Sequence, residues 1–300
     1  MAKKDVYDII DHKYDKRFKK ETLIVDADRF KTYDEVFDQQ NLDNIFRLMK
    51  RKKIKTMECP ISTGKEANVY LAKTYEKDAA VKIFRTSTST FGAFLEYIDG
   101  DRRFQKIDRS HRGVIYTWAR KEFMNLDTMY EEGVRVPKPQ SIFRNVLVMD
   151  YIEYERKPAP QLKVLDAELD EWEEMWGIVL HTVKKLFLDC ELVHADLSEY
   201  NILYDGAPVF IDVGQSLDLS HPKALEMLDR DLRIISTFFE KKGIEDAKKE
   251  AGDLKEELLA SLEEEDEEED EEEDEEEDEE EDEEEDEEED EEEDEEEDEE

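Results

Sequence analysis

The sequence predicts a two-lobed α+β fold followed by an acidic tail. The first half of the body alternates short apolar runs with turn residues and contains one helical pattern, whereas the second half contains long amphipathic helices and a single hairpin. The segment ERKPAP, residues 155–160, separates the two halves and carries two prolines. Strands and helices segregated in this way are typical of an α+β fold, and ligands favour the cleft between two lobes.

The negative charge of the chain is concentrated in its last segment. The 300 residues carry 87 Asp and Glu against 43 Lys and Arg, a net charge of −44. Residues 263–300 are all acidic and follow an EEED repeat, so the first 262 residues retain only 49 acids against 43 bases. The body is nearly balanced in charge and apolar enough for a core. The tail buries nothing and repels itself, which predicts disorder.

Cysteine count and hydropathy exclude several classes of protein. Two cysteines, Cys59 and Cys190, cannot build a disulfide framework and favour a reducing compartment. No apolar run approaches the ~18 residues of a transmembrane helix, and the N-terminus lacks the apolar segment of a signal peptide. We therefore expect a soluble, cytoplasmic protein with no membrane partner.

Residues 1–56 are predicted to form an N-terminal helical extension that ends in a basic segment. Residues 41–55 have the pattern of an amphipathic helix. Six bases lie within residues 46–55, namely Arg47, Lys50, Arg51, Lys52, Lys53 and Lys55. A solvated helix face is the simpler interpretation, and a contact for RNA or another polyanion is the sharper one.

The first lobe is predicted over residues 57–153. Its expected parts are a strand–glycine turn–strand unit, a further strand, a flexible polar loop, a helix that stops at Gly133, and a buried strand that leads into a hinge. These parts occupy residues 60–73, 79–85, 86–113, 114–132, 145–152 and 149–153.

The second lobe is predicted over residues 154–250, and residues 251–300 are predicted to be a linker and the disordered tail. An amphipathic helix is expected over residues 171–190, with an apolar stripe formed by Trp172, Met175, Val179, Val183 and Leu186. A hairpin with an Asp-Gly turn follows at 202–213, and a last helix that ends at a glycine follows at 221–243.

The segment HADLSEYN, residues 194–201, is the first candidate for chemistry. Asp196 and Asn201 are five residues apart, so one loop can turn both side chains toward a point, and Asp212 follows an apolar strand eleven residues later. Carboxylate and amide oxygens are the hard ligands that Mg²⁺ prefers, with phosphate oxygens and water completing the shell. Asp196 then remains to orient or deprotonate a hydroxyl group or water.

Lys82 is the second candidate because it lies within an apolar strand. Its predicted partner is Glu122, which falls on the apolar stripe of the helix at 114–132 formed by Ile115, Ala119, Leu126 and Met129. A buried carboxylate is costly unless it is paired. An ion pair between Lys82 and Glu122 would satisfy both charges and aim the ammonium group at a phosphate.

The segment STGKEANVY, residues 62–70, is a glycine-containing turn between two strands. It is not a Walker A loop, because Cys59 and Glu66 stand where that motif needs glycine and Ser or Thr. It also lacks the GxGxxG pattern of ordinary protein kinases. As a bare pattern it favours a plain hairpin, and only its position before Lys82 makes it a candidate for the site.

These motifs together resemble the RIO family of atypical protein kinases, and most closely its RIO1 subfamily. The matching features are STGKEANVY, the strand lysine Lys82, HADLSEYN and IDVGQ, in this order over about residues 40–245. The resemblance implies a two-lobed protein-kinase-like α+β fold with an N-terminal helical extension and a disordered acidic C-terminal tail. A RIO1-like chain this compact resembles the archaeal members.

The resemblance also implies roles for individual residues. Lys82 would contact the α- and β-phosphates and pair with Glu122, Asp196 would be catalytic, and Asn201 and Asp212 would hold Mg²⁺, with Mn²⁺ as an alternative ion. Asp212 would also accept phosphate as an aspartyl-phosphate. The residues expected to cover the ATP phosphates are Ser62, Thr63, Gly64, Lys65, Glu66, Ala67, Asn68 and Val69. In the hinge, Met149 would be the gatekeeper, and the backbones of Asp150 and Ile152 would bind adenine.

Departures from ordinary protein kinases bear on the substrate. Ala195 stands where the common HRD motif has arginine, IDVGQ replaces DFG, and no APE motif or long activation segment follows Gly214. The resemblance implies an ATP-dependent serine/threonine kinase or ATPase that acts in maturation of the small ribosomal subunit, with the pre-30S or pre-40S particle as partner. The acidic tail would serve solubility or bind basic proteins.

Three other functions stay open from the sequence. A small-molecule phosphotransferase would use a similar HxD loop and metal aspartate, although STGKEANVY and IDVGQ speak against it. An assembly factor that binds ATP with little catalysis would keep the same motifs. A chaperone for basic proteins would act through the tail alone.

Overall fold

The computed structural model describes residues 39–86 and 91–263. The chain divides into two compact units. Among the described residues, the first unit comprises 39–86, 91–94, 107–123 and 138–152, and the second comprises 95–106, 124–137 and 153–263. The predictions for residues 1–38 and for the tail from residue 264 lie outside the described residues.

The described residues form six helices and eleven strands. The helices are α1 (Gln39–Lys50), α2 (Phe91–Ile98), α3 (His111–Glu131), α4 (Leu169–Leu188), α5 (Ala224–Lys241) and α6 (residues 247–263). The strands are β1 (Thr56–Thr63), β2 (Ala67–Lys73), β3 (Asp78–Phe84), β4 (Pro139–Phe143), β5 (Val146–Asp150), β6 (Glu153–Tyr154), β7 (Lys157–Pro158), β8 (Leu192–Val193), β9 (Ile202–Tyr204), β10 (Pro208–Phe210) and β11 (Leu217–Asp218).

A five-stranded antiparallel sheet forms the first unit, in the order β1-β2-β3-β5-β4. Strands β3 and β5 are central, and residues such as Val81, Ile83 and Val148 are fully buried because apolar β-branched side chains pack well on a pleated surface. The predicted strands β1, β2, β3 and β5 are confirmed. Strand β4 was not predicted as a separate strand, because its turn at Arg144 has no glycine even though Arg144 adopts a φ of 54°.

Helix α1 is shorter than the helix predicted over residues 41–55. It ends at Lys50, and Lys52 adopts a left-handed φ of 57°. The amide of Lys53 donates to the carbonyl of Leu48 and that of Lys52 to Met49, a Schellman closure. The turn carries Ile54 into the core of the first unit, where it is fully buried, and this burial explains the early end of the helix.

Three buried asparagines join α1 to the turn between β4 and β5. Asn145 donates to Asn41 and to the carbonyl of Phe84, both at 2.7 Å, and accepts from Asn44 at 2.8 Å. Because buried amides are stable only when they are hydrogen-bonded, this cluster fixes α1 against the end of β3, the strand that carries Lys82.

The predicted flexible loop over residues 86–113 contains a helix, so that prediction is corrected over this part. Helix α2 buries Phe94 and Ile98, and Phe94 stacks on Trp118 with ring centroids 4.3 Å apart. A 3-10 turn at Arg102–Phe104 follows. Helix α2 forms because the apolar residues Phe94 and Ile98 are spaced four apart. The helical pattern was not recognised in the sequence because polar residues surround these two positions.

The second unit is built on α4 and α5. The predicted apolar stripe of α4 is confirmed, since Trp172, Met175, Val179, Val183 and Leu186 are all buried. The predicted hairpin is also confirmed as β9 and β10, which pair antiparallel. Helices α3 and α5 end in Schellman closures at the predicted glycines, Gly133 and Gly243, both with positive φ.

The predicted linker from residue 251 is helical as far as residue 263, which corrects the earlier boundary. In α6, Ala251, Leu254 and Leu258 are buried at a spacing of three to four residues. Glu250 accepts a hydrogen bond from Trp176 of α4 at 2.5 Å, and Lys255 pairs with Asp229 of α5. Helix α6 is therefore part of the packed second unit.

Within the described ranges, none of the helices is long and apolar enough to cross a membrane.

The packing of α6 can be tested by a substitution in its core face. Leu258 has no solvent exposure, so Leu258→Ala should lower the free energy of unfolding by about 2–5 kcal/mol because it leaves a cavity. Urea unfolding followed by circular dichroism measures the loss. Glu256→Ala, at an exposed position of the same helix, is the control and should change stability by less than about 0.5 kcal/mol. Equal effects of the two substitutions would contradict a packed α6.

Candidate active site

The turn between β1 and β2 is closed by the side chain of a buried asparagine. The amide of Gly64 donates to the carbonyl of Ala67 at 2.9 Å and to Oδ1 of Asn68 at 3.3 Å. Asn68 is fully buried, and Arg85 also donates to its Oδ1. A Cβ at position 64 would lie 3.0 Å from the Ala67 carbonyl oxygen, so the closure favours glycine. Ser62, Thr63 and Lys65 remain exposed beside it.

The predicted ion pair between Lys82 and Glu122 is present in the first unit. The Lys82 Nζ lies 2.6 Å and 2.7 Å from the two carboxylate oxygens of Glu122. The residues are 8% and 2% exposed, so the pair is held almost without water. In the sheet, Lys82 lies between Val69 of β2 and Leu147 of β5. Glu122 lies on the apolar stripe of α3 as predicted, and Ile115, Ala119, Leu126 and Met129 are buried with it.

The predicted hinge residues lie at the end of β5. Met149 pairs with Ala80 across the sheet, and Asp150 pairs with Ala79. The amide of Asp150 donates to the carbonyl of Lys138 at 2.9 Å, and its side chain accepts from Gln140 at 2.7 Å and from Lys77. Ile152 is half-buried. The start of the hinge is thus anchored on both its main chain and its side chain.

A buried carboxylate holds the loop at residues 194–197 of the second unit. The two oxygens of Asp231, on α5, accept from the amides of Ala195 at 2.7 Å and Leu197 at 3.0 Å. Burial raises the pKa of Asp231 to about 7, although the two amides oppose that shift. Ala195 adopts a left-handed φ of 63°, a strained conformation for a residue with a Cβ. Asp231 therefore stabilises a backbone that the sequence alone disfavours.

His194 fixes the same loop from its other side. Its Nε2 lies 3.1 Å from the carbonyl oxygen of Ile211, and its Nδ1 accepts from the amide of Asp196 at 3.3 Å. Burial lowers the pKa of His194 to about 4. The imidazole is thus neutral near pH 7 and donates from Nε2, which suits both bonds. His194 is a positioning side chain in the interior.

Asp196 lies between these supports with its carboxylate partly buried. Nδ2 of Asn201 donates to the carboxylate at 3.1 Å and to the Asp196 carbonyl at 2.8 Å, and Gln215 donates at 3.3 Å. The pKa of Asp196 is raised, chiefly by burial and also by the charge of Asp212, while Asn201 and Arg230 oppose the rise. A carboxylate that is held in place and made more basic is suited to accept a proton.

Asp212 follows β10 and takes a left-handed φ of 60°. A 3-10 turn, Val213–Gln215, begins directly after Asp212, and the Asp212 side chain is exposed. Nδ2 of Asn125, on α3, donates to the Val213 carbonyl at 2.7 Å and to that of Ser216 at 3.4 Å. Asn125 therefore fixes the backbone immediately after Asp212.

A network of hydrogen bonds leads from Asn125 to the segment that was predicted to be flexible. Arg103 donates to Oδ1 of Asn125 at 2.9 Å and is paired with the buried carboxylate of Asp101 at 2.8 Å. Asp101 also accepts from the amide of Arg103. The segment containing Asp101 and Arg103 is consequently ordered against the turn that follows Asp212.

The oxygens available near Asp196 fit a divalent cation of the magnesium type. Asn201 uses its nitrogen on Asp196, which directs its amide oxygen elsewhere, and the carboxylate of Asp212 is exposed and close enough to Asp196 to raise its pKa. One carboxylate and one amide oxygen are hard ligands, and such sites take the rest of their shell from phosphates and water. The donor set therefore fits Mg²⁺.

Comparison with known proteins places the chain in a family. A family model described as the RIO domain matches residues 68–251. The RIO-type serine/threonine-protein kinase Rio1 of Haloferax volcanii is 40% identical over 220 residues, 73% of this chain and 75% of that protein. The protein of the same name from Methanocaldococcus jannaschii is 40% identical over 235 residues, 77% of this chain and 80% of that protein.

The fold agrees with this relationship. A crystal structure of the Rio2 kinase from Chaetomium thermophilum, in an ADP/Mg²⁺-phosphoaspartate complex, matches with a TM-score of 0.52 at 22% identity, over 71% of this chain and 67% of that chain. An antiparallel sheet with a buried lysine–glutamate pair, together with an HxD loop, defines the protein-kinase-like class of enzymes. Within that class, the chain belongs to the RIO family of serine/threonine-protein kinases, as the motifs predicted.

Asp231, Asn125 and Arg103 were not predicted as site residues. The signal for Asp231 was present, because it shares the apolar stripe of α5 with Leu228, Leu232 and Ile235, as Glu122 does on α3. Asn125 follows Glu122 by one helical turn and is fully buried. Arg103 gave no signal, since it lies in a polar segment without periodicity.

We expect Asn125→Leu to loosen the backbone that positions Asp212. The substitution leaves the Val213 carbonyl without its donor, which costs about 1–3 kcal/mol at a buried site. The rate of phosphoryl transfer should fall about tenfold at low Mg²⁺ and recover in part as Mg²⁺ is raised. Initial rates over a series of Mg²⁺ concentrations measure this. Asp127→Leu, at an exposed position of α3, is the control. A loss that is the same at every Mg²⁺ concentration would contradict positioning of Asp212.

The raised pKa of Asp231 predicts a dependence of stability on pH. Its folded pKa of about 7 lies above the usual carboxyl value, so its contribution to the free energy of unfolding falls as pH rises from about 4 to about 7. The stability difference between the native chain and Asp231→Asn should therefore decrease over that range in urea unfolding experiments.

Asp229→Asn is the matched control on the same helix. Lys255 lowers the pKa of Asp229, so its stabilising contribution is lost only as pH falls below about 4. The difference in free energy of unfolding between the native chain and Asp229→Asn should therefore stay constant between about pH 5 and pH 8, a range above ordinary carboxyl pKa values. A flat difference for Asp231→Asn as well would exclude a raised pKa.

Proposed function

We propose that this chain transfers the γ-phosphoryl group of ATP in a Mg²⁺-dependent reaction, as a serine/threonine kinase and ATPase of RIO1 type. The observation that carries the proposal is the fixed position of Asp196. Its loop is held by Asp231 and His194, and its carboxylate has a raised pKa. A preorganised base of this kind is what acceptance of a hydroxyl or water proton requires.

Residues of the first unit would bind the nucleotide. The turn from Ser62 to Val69 would cover the phosphates, and Gly64, which has no side chain, would let the backbone approach them closely. Lys82 would contact the α- and β-phosphates while Glu122 holds its ammonium group. At the hinge, Met149 would be the gatekeeper. Adenine would be bound by the backbones of Asp150 and Ile152, and because the Asp150 amide already donates to Lys138, its carbonyl oxygen is the candidate contact.

Asn201 and Asp212 would hold Mg²⁺ through their oxygens, and Mn²⁺ would suit the same donors. The ion would neutralise charge that develops on the phosphates during transfer. Asn201 has a second function here, because its amide nitrogen keeps the Asp196 carboxylate oriented. The left-handed backbone at Asp212, supported by Asn125, would keep its carboxylate available.

Two acceptors of the phosphoryl group are consistent with this arrangement. In kinase transfer, a Ser or Thr hydroxyl oxygen attacks the γ-phosphorus, Asp196 accepts the hydroxyl proton, and ADP leaves. In an ATPase cycle, a carboxylate oxygen of Asp212 attacks instead, ADP leaves, and water later hydrolyses the aspartyl-phosphate. The phosphoaspartate named for the Chaetomium thermophilum relative supports the second course for this chain.

The family resemblance supports a proposal about the cellular role. We propose that the chain acts in the cytoplasm on precursors of the small ribosomal subunit, a pre-30S or pre-40S particle with rRNA and basic ribosomal proteins. The basic segment at Arg47–Lys55 and the acidic tail offer charges of both signs for such a particle. Co-sedimentation of the chain with precursor particles, in the presence and absence of ATP, tests this role.

The chemistry is tested with γ-labelled ATP and Mg²⁺. We compare the native chain with Asp196→Asn and Asp212→Asn, and follow released phosphate and label on the protein. Each substitution should lower transfer at least about 100-fold, the usual contribution of a catalytic acid–base group. Hydroxylamine-labile label that is lost in Asp212→Asn supports the aspartyl-phosphate course. Stable label on Ser or Thr that is lost in Asp196→Asn supports kinase transfer.

Asp253→Asn, an exposed position of α6, is the control and should leave both signals unchanged. ATP binding without label or phosphate release in the native chain would contradict the proposed function and favour an assembly factor that uses ATP only as a ligand.

A further inference from the structure

A cluster of exposed bases surrounds one aromatic ring on the first unit. We call it the basic patch, and it consists of Arg47, Arg51, Lys52, Lys53, Lys55 and Arg144, all exposed. The guanidinium carbons of Arg47, Arg51 and Arg144 lie 5.6, 5.0 and 5.6 Å from the ring centroid of Phe143. Three cations thus share one half-buried ring.

This arrangement calls for a negatively charged complement. An exposed cation–π contact contributes only ~0.5–1 kcal/mol, and like charges around one ring repel each other. Arg47, Arg51 and Arg144 have no carboxylate partner within residues 39–86 and 91–263. Residues 46–55 contain six bases and no acid. Among the described residues, the positive charges of these three arginines are therefore not paired with a carboxylate.

Exposed bases elsewhere in the described chain are commonly paired with acids. Lys184 pairs with Glu257, Lys248 with Glu240, and Lys255 with Asp229. Each of these three lysines of the second unit thus has a carboxylate beside it. The arginines around Phe143 differ from these paired lysines, and this difference makes the basic patch a candidate binding surface for an anionic segment outside the described residues.

We propose that the acidic tail of this chain, residues 264–300, occupies the basic patch. The tail carries 37 consecutive carboxylates and no base, so its charge complements the patch at any register. Fully extended, it would reach roughly 120 Å, at ~3.3 Å per residue, which is ample for any surface of its own chain. Covalent attachment gives such a segment an effective concentration of about millimolar.

The contact is expected to be electrostatic and to involve many registers. Single exposed ion pairs contribute only ~0.2–1 kcal/mol, so the tail must engage several bases at once. Guanidinium groups that are already stacked on Phe143 are held in place and present their N–H edges to carboxylates. Because exposed charges are screened over ~8 Å at physiological salt, the contact should weaken steeply as salt is added. It does not depend on the proposed phosphoryl transfer.

The contact is tested by zero-length cross-linking of the full chain at low salt. A carbodiimide joins a lysine amine to a carboxylate only where the two touch. Mass spectrometry should find Lys52, Lys53 or Lys55 joined to carboxylates of residues 264–300 within single chains. The control lysines Lys157 and Lys249 are exposed but lie outside the patch, and they should form few such links.

The substitutions Arg47→Gln, Arg51→Gln and Arg144→Gln, made together, should lower the cross-linking yield at the remaining lysines about tenfold, because three of the paired charges are removed. Arg156→Gln with Lys157→Gln is the matched control and should not lower it. Because Lys52, Lys53 and Lys55 are unchanged in this variant, a loss of yield reports the three arginines around Phe143.

Several outcomes would overturn the proposal. Links from the patch to residues 1–38, links only between different chains, or equal yields at the control lysines would each do so. A second measurement uses a labelled oligouridylate and a chain that ends at Glu263, which keeps every described residue. Removing the tail should raise the affinity for this probe, and the patch substitutions should abolish that gain. An unchanged affinity after removal would show a surface open to RNA and would contradict occupation by the tail.

Discussion

The second unit depends on one buried carboxylate whose two oxygens accept hydrogen bonds from the main chain. Asp231 accepts from the amides of Ala195 and Leu197, and neither side of this arrangement is stable alone. A carboxylate without donors is costly to bury, typically by several kcal/mol. The two amides belong to a loop that strains Ala195 into a left-handed conformation, so no helix or strand satisfies them. The carboxylate supplies acceptors for the two amides, and the amides supply donors for the carboxylate. Asp196 lies between the two amides in the chain, so its position is fixed as well.

The first unit solves a similar problem with a cation. Glu122 is buried on the apolar stripe of α3, as Asp231 is on α5, but its partner is the ammonium group of Lys82. Removal of one partner from such a pair leaves the other charged and buried, which costs about 3–5 kcal/mol. Because any arrangement that separates the two charges carries this cost, the pair fixes the orientation of the Lys82 side chain. In both units, a carboxylate on a helix thus fixes the position of a candidate site residue, Lys82 in the first and Asp196 in the second.

Long periodic segments and glycine stops were predictable from the sequence, and local exceptions were not. Helices α3, α4 and α5 and the closures at Gly133 and Gly243 follow from apolar spacing and the conformational freedom of glycine. The turns at Lys52 and Arg144 were not predicted. Burial of Ile54 imposes the positive φ of Lys52, and the Asn145 cluster imposes that of Arg144. Helix α2 was missed because only two of its residues, Phe94 and Ile98, are anchors. The same limit applies to the site. Lys82 and Glu122 could be paired from periodicity, whereas the contact of Arg103 with Asn125 arises from tertiary packing.

The order of the segment around Arg103 changes what the predicted flexible loop can do. Asp101 is buried with Arg103, Arg103 donates to Asn125, and Asn125 donates to the backbone after Asp212. Displacement of this segment would have to break a buried ion pair or leave the Asn125 oxygen without its donor, and either change is costly. A ligand or modification that moved the segment would therefore alter the support of Asp212 through contiguous hydrogen bonds, with no further conformational change required. The length and polarity of residues 86–113 suggest a solvent-exposed loop. The contacts of Asp101 and Arg103 show instead that part of this segment belongs to the structure that supports the backbone after Asp212.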